Sequence, residues 1–444
     1  VSSSVTVFDI ILAELPNDAS IIRPYPAVDE PSRSIEPADQ TRGMFVETAR
    51  KILICGGGIA GTTCAYWLNE YGYSVVIAER ATAFRDGGQN VDIKGAGQHV
   101  IEKMGLVEKV EAKNTHELGQ KYLDARGRVI AVLPKGAAGT LTSDFEILRG
   151  DFAQVLFDAA RNRCEYRFGT TVTRLEEADD GMTVYFDDGR AETFALVICA
   201  EGVSSATRKL MLAEETRFRY LGTYMAFFKI PRRAEDDGWA WSVNGRDGTF
   251  LTLRPGNQHE TTVLLTFPCE ERAFDGSDTA ARKALLVAAM RGRGSIADRV
   301  RAELDGVRDF YFGPMSQVRA SAWSKSRFVL LGDAAYCPTP FTGAGTALAL
   351  VGAYVLAGEI KRCADHSRAF GAYEQIVRPY AEAVQAQLTP GFVRMVHPRS
   401  RVGIAIAHLV QRALASRLVQ TLARRHIAKR QSGAVEDFSL PEYR

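Results

Sequence analysis

The chain has 444 residues, 46% apolar and 24% charged, which is close to the globular average and excludes wholesale disorder, a collagen-like repeat or a small disulfide scaffold. Lys and Arg number 55 against 53 Asp and Glu, a formal charge of +2, so nucleic acid is excluded as the main partner. The length predicts two or three domains.

The seven cysteines are odd in number and widely spaced, with no C-x-x-C pair. They read as reduced thiols in a cytoplasmic protein, not as a disulfide framework or a zinc site, and no metal is expected. The longest apolar run, from Ala347 to Gly358, falls short of the ~20 residues a bilayer span needs and reads as a buried helix.

Residues 1–43 carry five prolines with Ser and Asp between them. They are expected to be either a poorly ordered tail or a stretch ahead of a natural start at Met44. Lys51 to Cys55 is then a short apolar run suited to a buried parallel strand. It enters a G-x-G-x-x-G turn, Gly56, Gly58 and Gly61 with Ile59 and Ala60 between the last two, and a helical pattern follows from Thr62 to Tyr71. A second apolar run, from Ser74 to Ala78, ends at Glu79 and Arg80. This order is that of a dinucleotide-binding unit. Gly56 permits the tight turn, Gly58 admits a pyrophosphate to the backbone, and Gly61 lets the helix lie close to the strand. Glu79 can accept the hydroxyl protons of an adenosine ribose and disfavours a 2′-phosphate. Arg80 contacts adenine or phosphate, or is a solvated surface residue. The unit alone leaves NAD and FAD both open.

Asp86 to Gly95 alternates polar Asn90 and Asp92 with Val91 and Ile93, giving one polar face or a solvated hairpin. Gln120 to Leu133 reads as a hairpin through Ala125–Gly127. Phe145 to Leu156 contains Arg149 and Asp151 at a helix start, where Asp151 is a candidate cap. Leu196 to Ala200 is a strand that leads into Glu201, Gly202, Ser205 and Arg208. Tyr220 to Ile230, Phe250 to Arg254 and Thr261 to Phe267 read as antiparallel strands separated by Gly, Pro and Asn turns. Near the far end, the strand from Arg327 ends at Gly332-Asp333. A proline-rich loop with Pro338 and Phe341 follows, and Gly343-Ala344-Gly345 opens the long apolar helix. Gln385 to Ala428 reads as a long basic helix bridging two domains, with a membrane-surface helix as the alternative.

These segments together resemble the class A flavin monooxygenases of the p-hydroxybenzoate hydroxylase type, over roughly residues 49–430. The 86–95 stretch is similar to that of the tetracycline-inactivating branch, with its polar positions beside the flavin ring. The resemblance implies an α/β fold: a Rossmann-like FAD-binding domain in three segments, an inserted antiparallel-sheet substrate domain and a C-terminal helix. The boundaries are 44–104, 140–214 and 313–385 for the FAD-binding domain, and 105–139 with 215–312 for the substrate domain. The bridging helix takes 386–430, and a tail takes 431–444.

In that family the Asp of the Gly-Asp motif, here Asp333 after Gly332, binds the FAD ribitol, and the glycine pair meets the isoalloxazine edge. Arg149 matches an Arg that contacts the FAD phosphate and ribityl region. Glu201 stands where the family usually has Asp in a cleft shared by FAD and NADPH, and Tyr336 replaces a frequent His. The expected substrate pocket comprises Tyr224, Phe227, Trp241, Phe250, Pro338 and Phe341, with Trp239 also considered.

The implied activity is a monooxygenase reaction. NADPH or NADH reduces FAD, and oxygen forms the C4a-hydroperoxide. One oxygen then enters an aromatic or polyketide-like small molecule. The flavin carries the chemistry, so no catalytic residue is assigned. The competing readings are a halogenase or reductase of the same fold, the former from Trp239-Ala-Trp241, and a flavin-binding protein without turnover. A monomer or homodimer is expected.

Overall fold

The computed structural model describes residues 51–84, 88–137, 142–143, 145–257, 259–271, 278–417, 419–421 and 438–443. The expectations for residues 1–43 lie outside these.

The first predicted strand, Lys51–Cys55, is the centre of a six-stranded sheet. Its neighbours are Leu196–Cys199 on one side and Ser74–Glu79 on the other, with Phe328–Leu330 and Glu165–Phe168 beyond them. These five strands run parallel; the four inner ones are buried almost throughout, as continuous Val, Ile, Leu and Cys runs require, while the edge strand Glu165–Phe168 is only partly covered. Only the edge pair, Ser324–Lys325 against Phe328–Leu330, is antiparallel. The helices Ile59–Glu70 and Gly345–Arg362 cover the sheet and share one apolar core with it.

A second, seven-stranded sheet stands apart, in the order Tyr311–Ala320, Thr216–Pro231, Glu260–Pro268, Phe250–Pro255, Ala240–Asn244, Gly119–Leu123, Val129–Pro134. It is antiparallel except where Ala240–Asn244 meets Gly119–Leu123. The predicted 120–133 hairpin therefore forms and joins this second sheet. Helices Thr279–Met290 and Ser295–Glu303 pack on one face of it and close a second core. A two-stranded ladder, Asn90–Asp92 with Glu146–Leu148, lies between the two bodies. The architecture is thus mixed α/β, a parallel nucleotide-type sheet beside an antiparallel one.

Three expectations need correction. The 385–428 helix is broken: His366–Ala386, Pro390–Val396 and Arg401–Ala415 are separate helices. Pro390 starts the second, and His397-Pro398 divides it from the third, because proline cannot continue a helix and disfavours helical backbone before it. Residues 438–443 are docked, with Phe438 stacked on Tyr380 and Tyr443 donating to Glu359 at 2.7 Å. Tyr443 lies so close to Gly358 that a Cβ there would sit 2.2 Å from the ring. Asp151 does not cap its helix; it lies in the first turn and pairs with Lys113.

Candidate active site

The carboxyl ends of the four central parallel strands all open on one cavity of about 1010 Å³. Ligands bind at this edge in open α/β sheets. The volume is at the upper end of the ~300–1,000 Å³ range for small-molecule sites.

The glycine turn follows the first strand. Gly56 has φ +103°, and a Cβ on it would lie 2.6 Å from the Ala200 carbonyl oxygen. A Cβ on Gly61 would lie 2.0 Å from the Gly56 oxygen, so this glycine is needed for packing and does not face the cavity. Gly58 is different: nothing lies within 4 Å of its Cβ position, and the space it leaves belongs to the cavity. Gly58 caps the helix Ile59–Glu70 with no side-chain partner, and the first turn carries no acid. The leading N–H groups and the positive helix end therefore face the cavity unopposed, beside Ile59 and Ala60, which also line it. Glu79 closes this end. One carboxylate oxygen accepts from Gly57 N at 2.9 Å and the other from Ala81 N at 2.8 Å. Each oxygen retains a lone pair for a ribose hydroxyl. Arg80 is exposed and does not line the cavity.

Midway along, Asp333 follows Gly332, whose backbone makes the turn (φ +65°) and which is itself outside the lining. Asp333 is enclosed by surrounding protein, yet its side chain is exposed to the cavity it lines. Burial raises its pKa, and the Arg149 guanidinium and Cys337 thiol oppose the rise. Arg149 also lines the cavity. Gly343, Ala344 and Gly345 line it where the 18-residue helix Gly345–Arg362 begins, again with no side-chain cap. Tyr336 points away, into a core contact with Trp323 and Tyr373.

Glu201 lines the cavity, and its carboxylate is bonded to the helix start beside it. It accepts from Ser205 Oγ at 2.5 Å, Thr207 N at 2.9 Å and Thr207 Oγ1 at 2.8 Å. Its longer side chain reaches round to hold the start of helix Ala206–Met211.

At the far end the antiparallel sheet forms the wall, and strand parity decides who faces the cavity. Met225 and Phe227 face it, whereas Tyr224, Ala226 and Phe228 face the second core. Tyr224 is fully buried against Phe267 and Phe312, so its assignment to the pocket is corrected. Trp241 is corrected for the same reason: it packs on that core and donates to Asp237 at 3.0 Å, while its neighbour Asn244 faces the cavity. Trp239 is also outside, under the Lys121 ammonium. Phe250, Pro338 and Phe341 do line it. The helices Pro390–Val396 and Arg401–Ala415 complete this end with Phe392, Met395, Val410 and Leu414.

Sequence reasoning missed one polar cluster. Arg254 shares the cavity face of its strand with Phe250, at the same parity. Its guanidinium donates to Glu117 at 2.9 and 3.0 Å and to Glu146 at 2.6 Å. Both Glu side chains are about 1% exposed. Asn90 donates to Glu146 at 2.7 Å and to the Pro255 carbonyl at 3.0 Å, and Asp92 accepts from Ser143 N at 3.0 Å. Burial pushes the Glu146 carboxyl up to about 8; Arg254 opposes this, and Glu117 and Asp92 add to it. The signal available in the sequence was the even spacing from Phe250 to Arg254.

This geometry defines a dinucleotide-type cofactor site of the α/β class, with a second, antiparallel sheet walling the far end of its cavity. The FAD-binding domain family model matches residues 49–387, and the chain belongs to that family, among the class A FAD-dependent monooxygenases of the hydroxylase type. A prokaryotic flavin-dependent monooxygenase is 34% identical over 340 residues, covering 76% of this chain and 87% of the relative. FAD-dependent monooxygenase asL6 of Sarocladium schorii is 32% identical over 424 residues, covering 88% and 98%. Among solved structures, tetracycline destructase Tet(51) superposes with a TM-score of 0.73 at 29% identity, covering 89% of this chain and 99% of that one. Klebsiella pneumoniae HpxO, solved with FAD and uric acid, superposes at 0.69 with 20% identity, over 87% and 98%, which shows the shared fold.

Proposed function

We propose that this chain is an FAD-dependent monooxygenase that uses NADPH or NADH and oxygen to hydroxylate an aromatic or polyketide-like small molecule. The observation that carries the reading is the continuity of the cavity. It runs from the glycine turn at Gly56–Gly58, past Asp333 and Gly343–Gly345, to an aromatic end at Phe227, Phe250 and Phe341. The name of the Tet(51) destructase supports a multi-ring substrate.

The residues present fit FAD. The open space at Gly58 and the uncapped helix start suit a pyrophosphate, and the free lone pairs of Glu79 suit a ribose. In this reading Arg149 faces the phosphates and ribityl chain, and Asp333 accepts from ribityl hydroxyls. The N–H groups at Gly343, Ala344 and Gly345 face the ring edge, where the helix start favours negative charge. Asp92, which lines the cavity from the two-stranded ladder, would face the ring. When bound, FAD supplies the hydride acceptor and the oxygen-activating chemistry. The chain's part is to orient, to hold charge and to exclude water. Phe227, Phe250, Pro338 and Phe341 hold the substrate by apolar contact, and the Phe392–Leu414 wall keeps water from that end. The cofactor-binding body is then built from 44–104, 140–214 and 313–385, with the substrate body from 105–139 and 215–312. A cytoplasmic location and a monomeric or homodimeric state complete the proposal. Nothing at Trp239 or Trp241 favours the halogenase reading, because neither reaches the cavity.

The test is to release and identify the bound flavin, then screen phenols and polyketides for stimulated NADPH oxidation, with mass spectrometry for a gain of one oxygen. FAD release and a product heavier by one oxygen are expected. A protein that binds no FAD, or one in which no tested compound gains oxygen while halide is incorporated, would overturn the reading.

A further inference from the structure

The helix Arg401–Ala415 is apolar on both sides. Its inner face, with Ala407, Val410 and Leu414, lines the cavity. Its outer face carries Val402, Ala405, Ile406, Leu409 and Ala413 in a continuous i, i+3/i+4 stripe, all exposed. Val402, Ile406 and Leu409 are 68%, 57% and 67% exposed, above every other large apolar side chain among the described residues. Single exposed apolar residues are ordinary, but an aligned stripe marks a contact surface.

The charge around the stripe narrows the partner. Among the described residues, 383–421 contain five Arg and no Asp or Glu, in a chain whose formal charge is only +2. Arg401 and Arg412 are exposed on the helix itself, and Arg399 and Arg417 flank it. The helix also feels Asp124, which acts on His408, but Asp124 is bound to Arg128. A nucleic acid would use the basic rim and leave the apolar stripe bare. An anionic lipid surface uses both, with apolar side chains below the headgroups and arginines among them. No helix among the described residues is long and apolar enough to cross a membrane, so such a contact lies in the plane of the interface.

We propose that the outer face of helix Arg401–Ala415 docks on an anionic lipid surface. Docking places the apolar end of the cavity one helix diameter, ~10 Å, from the lipid. An apolar substrate dissolved in the bilayer would then meet the cleft without crossing bulk water.

The test uses the full-length, FAD-loaded chain and sedimentation with vesicles of phosphatidylcholine alone or with 30% phosphatidylglycerol. Sedimentation with the anionic vesicles is expected, at least tenfold stronger than with neutral ones and weakened by salt. Ile406→Asp with Leu409→Asp should abolish it while flavin content and basal NADPH oxidation stay unchanged. Arg401→Glu with Arg412→Glu should weaken it at least ~25-fold, at roughly fivefold per basic side chain. Absence of binding to anionic vesicles, or binding unaffected by the Ile406/Leu409 pair, would overturn the proposal. So would light scattering that shows a dimer converted to monomer by that pair, since the stripe would then be occupied by a second copy.

Discussion

The two ends of the cavity present different chemistry to a ligand. At the nucleotide end the donors are backbone N–H groups at two helix starts and the Arg149 guanidinium, and the acceptors are a few carboxylates such as Glu79 and Asp333. Side chains in the two glycine segments are small, because the backbone itself must reach the ligand. At the far end the wall is side chain: Phe227, Phe250, Leu264, Phe341, Met395 and Leu414, drawn from strands and helices distant in sequence. The first end tolerates almost no change of residue type but serves one constant ligand. The second can change shape without disturbing the sheet beneath it, which is what a family with many substrates requires.

The junction between the ends is where this contrast is most easily broken. Arg254 joins the seven-stranded sheet to Glu146 of the two-stranded ladder, and Glu117 shares it. Arg254→Met leaves the buried Glu117 carboxylate without its cation and the Glu146 carboxyl without one of its donors, and removing one partner of a buried pair costs about 3–5 kcal/mol. Chemical denaturation should show that loss. The same cluster sets a pH dependence. The Glu146 carboxyl titrates near 8 in the folded chain, against 4.5 ordinarily, so the native state binds its proton more tightly than the unfolded chain does. Its contribution to stability is therefore full below about 4.5 and is lost as pH rises towards 8. Glu146→Gln, which mimics the protonated form, should flatten the thermal-stability profile across that window; an unchanged slope would show that another group carries it.

Strand parity gives the next contrast. Tyr224→Ala opens a hole in the second core and should cost about 3–5 kcal/mol, with little change in substrate KM among the molecules that fold. Phe227→Ala, three residues along on the opposite face, should do the reverse, raising KM for an aromatic substrate with a smaller loss of stability. Denaturation midpoints and KM values for the pair decide the matter. Equal effects on both would mean that the parity has been misassigned.

Asp333→Ala tests the nucleotide end. Hydrogen bonds to a charged group are worth ~1.5–3 kcal/mol. Losing even one should weaken FAD binding by about 10–100-fold. The purified variant should be folded but nearly colourless, and should regain flavin absorbance at high added FAD. Full flavin content at wild-type affinity would make Asp333 a structural residue only.

The same division explains what could be read in advance. The Gly56–Gly61 turn, Glu79, and the Gly332-Asp333 and Gly343–Gly345 segments are local patterns, each demanded by one backbone geometry within a few residues. They stood out in the sequence, and the structure brings them to one cavity, with Gly61 and Gly332 supporting it from behind. The far end is not local. Tyr224 and Phe227 look equally suitable until the sheet says which way each points. Glu117, Glu146 and Arg254 come from three separate segments, and nothing in their own neighbourhoods shows that they meet. The long helix expected over 385–428 failed where the basic, apolar pattern ran on through Pro390 and Pro398, whose local effect outweighs the pattern.

Glu201 sharpens the contrast at its smallest scale. Its motif places it at the cleft, and the family resemblance implies a role towards the cofactors. In the structure it lines the cavity while its carboxylate binds Ser205 and Thr207. Those bonds satisfy an N–H at the start of helix Ala206–Met211, a capping arrangement worth about 0.5–2 kcal/mol when removed. Glu201→Ala should therefore cost roughly 1 kcal/mol of stability and change FAD affinity less than twofold. Glu201→Gln should cost still less. Its amide oxygen can keep the Thr207 N–H, and its NH₂ can donate to the Thr207 hydroxyl, which is free to rotate. Flavin content, anaerobic reduction rate with NADPH and denaturation midpoint should be measured on both variants. If the reduction rate falls tenfold in Glu201→Gln with stability unchanged, the carboxylate serves the cleft directly, and its bonds to Ser205 and Thr207 are not what holds it in place.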